Sequence, residues 1–220
     1  MGDQIAHRMR MDIITGVIVD GSHLAEDSIA GQFDVSRGPV RDALRQLESE
    51  GLVESRRKRF YARSLGMSDA DELYELRESL ETLAIRLAIA HAGAKDWDRV
   101  QAIVDDMRIA GESNDLERFA NADMDFHTSF YRLSGNRRLL EAWKPYQRTF
   151  TILFEMSNTA DIPSAVVDHQ EFLDVIRSGD ADAAVHRLHR HLILAKSHVR
   201  DVIRSIEAKK QSKVEVLSEA

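Results

Sequence analysis

Four residues in the second half of the chain are of the types that hold a transition metal: Asp123, His127, His169 and His191. Asp123 and His127 are four apart, so on a helix their side chains stack one turn from each other, as two ligands of one ion would. His169 falls between Val166 and the pair Leu173 and Ile176. His191 falls in a row with Ala184, Leu188, Ala195 and Val202, so both imidazoles lie on apolar stripes. A carboxylate and three imidazoles on inward faces need partners, because an uncompensated polar group inside a bundle is costly. One divalent ion would satisfy all four. The plainer alternative is a core cluster that is merely hydrogen-bonded. Of the remaining histidines, His198 is one heptad beyond His191 and in line with the same cavity, while His186 and His189 read as exposed.

A second group is cationic. Arg37, Arg41 and Arg45 recur every fourth residue beside an apolar stripe of Val40, Ala43, Leu44 and Leu47. Such a row can reach phosphates or guanine edges in a major groove while the stripe holds the helix to its own domain. Arg56, Arg57, Lys58 and Arg59 follow shortly after and suit the neighbouring phosphate backbone. Arg77 shares a face with Leu73, Leu80 and Ala84, which turns a permanent cation towards a bundle interior, to pair with a buried acid or to snorkel outwards.

These residues require particular elements to position them. Apolar residues at helical spacing from Ile5 to Val17 predict a first helix, and Leu24 to Phe33 a second. Ser36 stands as an N-cap before Arg37-Gly38-Pro39, opening a third helix that stops near Gly51. Leu52 to Ser55 and Phe60 to Arg63 read as two short strands joined by the basic turn. Three helices and a hairpin within residues 1–63 form a winged helix-turn-helix pattern. Residues 64–67 are the expected hinge. Beyond them, breaks at glycines and at Ile162-Pro163 predict about six helices: 68–91, 96–110, 115–133, 137–157, 163–177 and 181–207. Residues 208–220 are expected to be a disordered tail. The fold class is therefore mainly α, with a winged helix-turn-helix and small β-hairpin followed by an antiparallel bundle of about six helices over residues 68–207.

With 220 residues there is room for two domains of unequal size. The net charge of −7 is unevenly spread: −4 over residues 1–35, +4 over 36–63 and −7 over the rest. A phosphate-binding surface needs a local positive patch and not a positive protein. The chain has no cysteine, which excludes disulfides, thiolate metal sites and cysteine nucleophiles and fits a reducing compartment. No apolar run approaches the roughly 18 residues of a membrane span and no signal-peptide core is seen, so a cytoplasmic protein without membrane contact is expected.

Leu24-Ala25-Glu26, Ile29-Ala30, the run Val35-Ser36-Arg37-Gly38-Pro39-Val40-Arg41-Asp42-Ala43-Leu44, and Glu50-Gly51-Leu52-Val53 resemble the N-terminal domain of GntR-type transcription regulators. The resemblance implies a homodimer, repressor before activator, that reads a palindromic DNA operator through Ser36, Arg37, Arg41, Arg45, Lys58 and Arg59. Two positions depart from the family pattern. The wing tip carries Arg57-Lys58-Arg59-Phe60 where glycines are usual, and Asp34 stands where glycine commonly lies between the second and third helices. The rest of the chain is similar to the all-helical FCD ligand-binding domain of the FadR-type branch, with about six helices placing it nearer the VanR-like subgroup. The cues are Leu73-Tyr74-Glu75-Leu76-Arg77, Leu80-Glu81, Asp123 with His127, Asn136 after Ser134-Gly135, His169, and Gly179-Asp180 ahead of His191-Leu192. This resemblance implies a metal on Asp123, His127, His169 and His191, and Arg77 as a bidentate clamp for a small carboxylate effector. Zinc comes first as the ion, with nickel, manganese and iron compatible. Four ligands leave two positions of an octahedron open to a carboxylate or α-hydroxy acid. Two rivals remain: a regulator for which the metal itself is the signal, and a metal-dependent hydrolase, which would leave residues 1–63 without a use.

Overall fold

The computed structural model describes residues 1–157 and 162–218, with side chains as far as Lys209. It divides into two compact units, Met1–Asp69 together with the chain from Ile203 onward, and Ala70–Val202.

The first unit begins with α1 (Gly2–Ile14), followed by β1 (His23–Leu24), α2 (Glu26–Phe33), α3 (Arg37–Ser49), β2 (Val53–Arg56) and β3 (Arg59–Ala62). Ile5, Met9 and Ile13 recur at i, i+4 along α1, which packs on α3, whose own stripe is Val40, Leu44 and Leu47. All six are at most 3% exposed, so this contact is the centre of the small core. Beside it lies an unannounced ion pair: Arg10 and Glu50 meet through two hydrogen bonds, both side chains buried.

Three expectations for this unit are corrected. The first helix stops at Ile14, where Gly16 (φ 77°) turns the chain, and Val17 is 70% exposed rather than part of the stripe. Leu24 does not open the second helix but pairs with Phe60, adding β1 as a third strand in the antiparallel order β1-β3-β2. A two-residue strand has no visible period, so only its tertiary partner reveals it. The hairpin is tighter than expected, with Arg56 opposite Arg59 and only Arg57 and Lys58 between them, at φ 50° and 65°. Both conformations belong to the left-handed region that two-residue hairpin turns require, usually supplied by Asn-Gly. Asp34 also takes it (φ 52°), closing α2 where glycine is the common choice.

The rest of the chain forms α4 (Met67–His91), α5 (Ala94–Glu112), α6 (Leu116–Leu133), α7 (Arg137–Met156), α8 (Ile162–Arg177) and α9 (Ala181–Ser218). Among the described residues, these are the six helices that the breaks predict. Asp115 and Asn136 cap α6 and α7 by accepting from the amides of Arg118 (3.0 Å) and Leu139 (3.2 Å). The break expected around Gly111 to Asn114 falls at Ser113 to Asp115, with Asn114 at φ 53°. Gly111 itself stays within α5, where a Cβ would lie 2.6 Å from Ile162 Cγ2, so the glycine permits close approach of α5 and α8. The tail expected from residue 208 is helical backbone as far as Ser218, since no glycine or proline interrupts the Lys-, Glu- and Ala-rich sequence after Glu207. Residues 219–220 lie outside the described residues. No described helix is long and apolar enough to cross a membrane.

Candidate metal centre and nucleic-acid interface

Helix α6 buries an aromatic stripe of Phe119, Phe126 and Phe130 and carries Asp123 and His127 into the same interior. Helix α8 brings His169 and α9 brings His191 to meet them. Each of the four offers one ligand atom, and these atoms lie within 4.8 Å of one another. Ligand atoms held about 2.0–2.2 Å from an ion are at most roughly 4.4 Å apart, so the cluster is close to a coordination sphere in size.

The hydrogen bonds at the rim fix how the imidazoles face the centre. His127 Nδ1 donates to Glu81, His191 Nδ1 donates to Asp168 (2.9 Å), and His169 Nδ1 donates to the Ala165 carbonyl (2.7 Å). A carbonyl or an ionised carboxylate only accepts, so each Nδ1 carries the proton and each Nε2 presents a lone pair inwards. His127 Nε2 and His191 Nε2 face each other at 3.1 Å. His169 Nε2 is buried without hydrogen-bond geometry to any partner, although Asp123 Oδ1 is 2.9 Å away. Lone pairs converging with a carboxylate in a buried site repel one another; a divalent cation is what that donor set fits.

The electrostatics agree. Burial opposes ionisation of Glu81, yet the His127 imidazole and the Arg77 guanidinium beside it hold its carboxyl below the usual range. Burial likewise opposes ionisation of Asp123, and the closeness of His169 outweighs it, holding Asp123 well below an ordinary aspartate. Burial pushes His191 down to about 4 and also lowers His127. Burial lowers His169 as well, but Asp123 beside it prevails and raises it.

Three positioning residues, Glu81, Asp168 and Arg187, have no role assigned by the sequence. Glu81 and Asp168 hold His127 and His191, and each is braced by an arginine: Arg77 Nε donates to Glu81 (3.1 Å), and Arg187 bonds Asp168 through both its side chain and its carbonyl (3.0 Å to the latter). The available signals were Glu81 one turn after Arg77, and Arg187 one turn before His191. Asp168 was hidden because it adjoins His169, and neighbours on a helix face directions about 100° apart.

Arg77 is buried, and the acid it pairs with is Glu81; Tyr74, Glu81 and Ala84, rather than Leu73 and Leu80, share its buried face. Its guanidinium carbon lies 4.9 Å from the Phe150 ring centre and 5.7 Å from that of Trp143. One guanidinium nitrogen, Nη2, has no hydrogen-bond partner. Arg77 also lines a cavity of about 560 Å³ together with Asp123, His169, His191 and His198. His186 and His189 are exposed, the latter against Glu78.

In the first unit, Arg37, Arg41 and Arg45 lie exposed on α3, while Lys58 and Arg59 lie exposed in the hairpin. Ser36 is at the N-cap position, but its side chain makes no capping bond. Arg41 is held bidentately by Glu26 of α2, both bonds 2.8 Å, and Arg37 is paired with Asp27. Two of the three arginines of the row are therefore aligned by acids of the preceding helix.

Residues 1–59 match the model of the family described as bacterial regulatory proteins, gntR family, and residues 72–194 match that of the FCD domain. The probable D-xylose utilization operon transcriptional repressor of Paenarthrobacter nicotinovorans is 32% identical over 194 residues, covering 87% of this chain and 85% of the relative. The gluconate operon transcriptional repressor of Bacillus licheniformis is 27% identical over 209 residues, 91% of this chain and 86% of its own length. Among solved structures, E. coli McbR/YncC superposes with a TM-score of 0.66 at 21% identity, covering 95% of this chain and 98% of that one, which shows the shared fold. A basic helix, a wing and a helical body with a cavity beside its His/Asp cluster now have a common explanation: the chain belongs to the gntR family of bacterial regulatory proteins with an FCD domain, and is a ligand-responsive DNA-binding regulator rather than an enzyme.

Proposed function

We propose that the protein is a cytoplasmic repressor whose helical unit binds one divalent metal on Asp123, His127, His169 and His191, and senses a small carboxylate anchored by Arg77. The observation that carries this reading is a single cavity of about 560 Å³ lined by three of the four cluster residues, Asp123, His169 and His191, and by a buried arginine with an unpartnered Nη2. Space and a cation beyond the ligand set favour an organic effector over the metal alone as the signal. When bound, the ion supplies a positive centre with open positions for carboxylate oxygens. Zinc is the first candidate, with nickel, manganese and iron compatible. The six helices α4 to α9 support assignment to the VanR-like subgroup of the FadR-type branch. The operon repressors among the relatives support the repressing sense.

On the DNA side we assign Ser36, Arg37, Arg41 and Arg45 to the major groove and Lys58 and Arg59 to the phosphate backbone, read by a homodimer on a palindrome. Effector binding would shift the bundle and alter the spacing of the two recognition helices; about 1.4 kcal/mol of differential binding changes operator affinity tenfold.

The test is elemental analysis of protein purified without chelator or a nickel column, followed by electrophoretic shifts on DNA upstream of the chain's own gene. Metal near one ion per chain is expected, and Arg41→Ala should weaken the preferred site roughly five- to a hundredfold. Protein that carries no metal and takes none up would reduce the cluster to a polar core. Shifts unaffected by Arg41→Ala would remove that residue from the readout.

A further inference from the structure

The cavity beside the cluster has two unlike kinds of lining. Arg77, Asp123, Asp168, His169 and His191 are ionisable, and Met124, Phe150, Phe154, Leu194 and Val199 are apolar, with Phe150 directly beside Arg77. The aromatic walls are fixed by their own packing: Phe150 meets Tyr74 edge-on at 5.3 Å, and Phe154 stacks on Phe119 at 5.7 Å. Apart from these, Tyr74, Ser157, Ser164 and His198 are the polar side chains that line it among the described residues.

This distribution discriminates between classes of carboxylate. A polyhydroxy acid carries a hydroxyl on nearly every carbon, and each one buried without a partner loses its bonds to water with nothing in return. Among the described residues, one tyrosine, two serines and a histidine are few to meet them along so largely apolar a wall. An alkyl or aryl body gains on the same walls through removal of apolar surface from water. The volume of about 560 Å³ falls within the roughly 300–1,000 Å³ of clefts that enclose drug-sized ligands, far more than a bare carboxylate uses.

We infer that the effector is an amphiphilic monocarboxylate, its head at Arg77 and the cluster and its alkyl or aryl body along Phe150, Phe154 and Leu194. The inference rests on the carboxylate site proposed above and adds the chemistry of the body. It also separates this chain from the sugar operons named in its relatives' descriptions.

Isothermal titration of the whole metal-loaded chain with acetate, butanoate, hexanoate, octanoate, 4-phenylbutanoate and gluconate tests it. Affinity should climb about fourfold for each methylene buried, so that octanoate exceeds acetate by at least a hundredfold and gluconate binds more weakly than hexanoate. Leu194 is 56% exposed, so Leu194→Asp should fold with the parent's melting temperature while losing at least tenfold in octanoate affinity. A flat series with acetate still bound, gluconate binding more tightly than hexanoate, or undiminished octanoate binding to a folded Leu194→Asp would each overturn the amphiphilic class and leave the carboxylate site standing. If metal is present and none of the carboxylates binds, both readings fall.

Discussion

At the scale of single residues, the candidate metal centre depends as much on the carboxylates behind the imidazoles as on the imidazoles themselves. Glu81 is wholly buried, fixes the tautomer of His127 and depends on Arg77 for its own charge balance. Glu81→Gln keeps the volume and removes the charge, so metal affinity should fall about 10–100-fold, read by competition with a chromophoric chelator. Unchanged affinity would mean that His127 needs no such orientation. Arg77→Ala is a blunter change, because removing one partner of a buried ion pair leaves the other uncompensated; metal and effector binding should both suffer. The same imidazoles predict a pH dependence. Only the neutral ring ligates, and Asp123 holds the pKa of His169 above its ordinary value, so His169 is the ligand most readily protonated as pH falls. In the metal-free protein that raised pKa stabilises the fold below about pH 6.5 and ceases to as pH rises through the folded-state pKa. Metal binding has the opposite sign: it displaces the proton, so apparent affinity should drop between pH 7 and 5. A chelator competition that gives the same affinity at both ends would contradict this.

At the scale of elements, the wing shows a local conflict between stability and use. Arg57 and Lys58 occupy a two-residue turn at positive φ, which side chains tolerate less well than glycine, in a part of the chain whose cations suit phosphate contact. Replacing the pair by Asn-Gly should raise the melting temperature of the protein while lowering its affinity for all DNA sequences and flattening the salt dependence. A gain in stability with DNA binding unchanged would take the wing tip out of the interface; a loss of stability would refute the strain argument. The turn was legible as basic and glycine-poor, but its length was not, because strand ends depend on the register with β1 and β2 rather than on any one residue.

At the scale of the whole molecule, the homodimer proposed above calls for a surface. Helix α4 has Leu73, Leu76, Leu80, Leu83 and Leu87 at alternating spacings of three and four, and Leu76 and Leu83 are 38% and 46% exposed. That is the pattern of a helix seam packed against another helix. Leu76→Glu together with Leu83→Glu should shift the mass in light scattering from two chains to one and weaken operator binding, since a single head reads too few base pairs for tight specific binding. A double variant that keeps the dimer mass would exclude this face.

Much of this protein was already written in its sequence. The helical periods of α1 and α3, the arginine row, the breaks that separate α4 to α9, and the inward placement of Asp123, His127, His169 and His191 are all local consequences of residue type and spacing. What required the tertiary structure were relations between residues far apart in the chain. Glu81 meets His127 across 46 positions, and Arg10 meets Glu50 across 40. His191 reaches His127 across 64, and β1 exists only because β3 lies beside it. Periodicity tells which face of a helix turns inward, because that follows from one chain's own geometry. It does not tell which inward face another helix will meet, because that is decided by packing, and it is packing that turned four polar residues into one cluster with a cavity beside it.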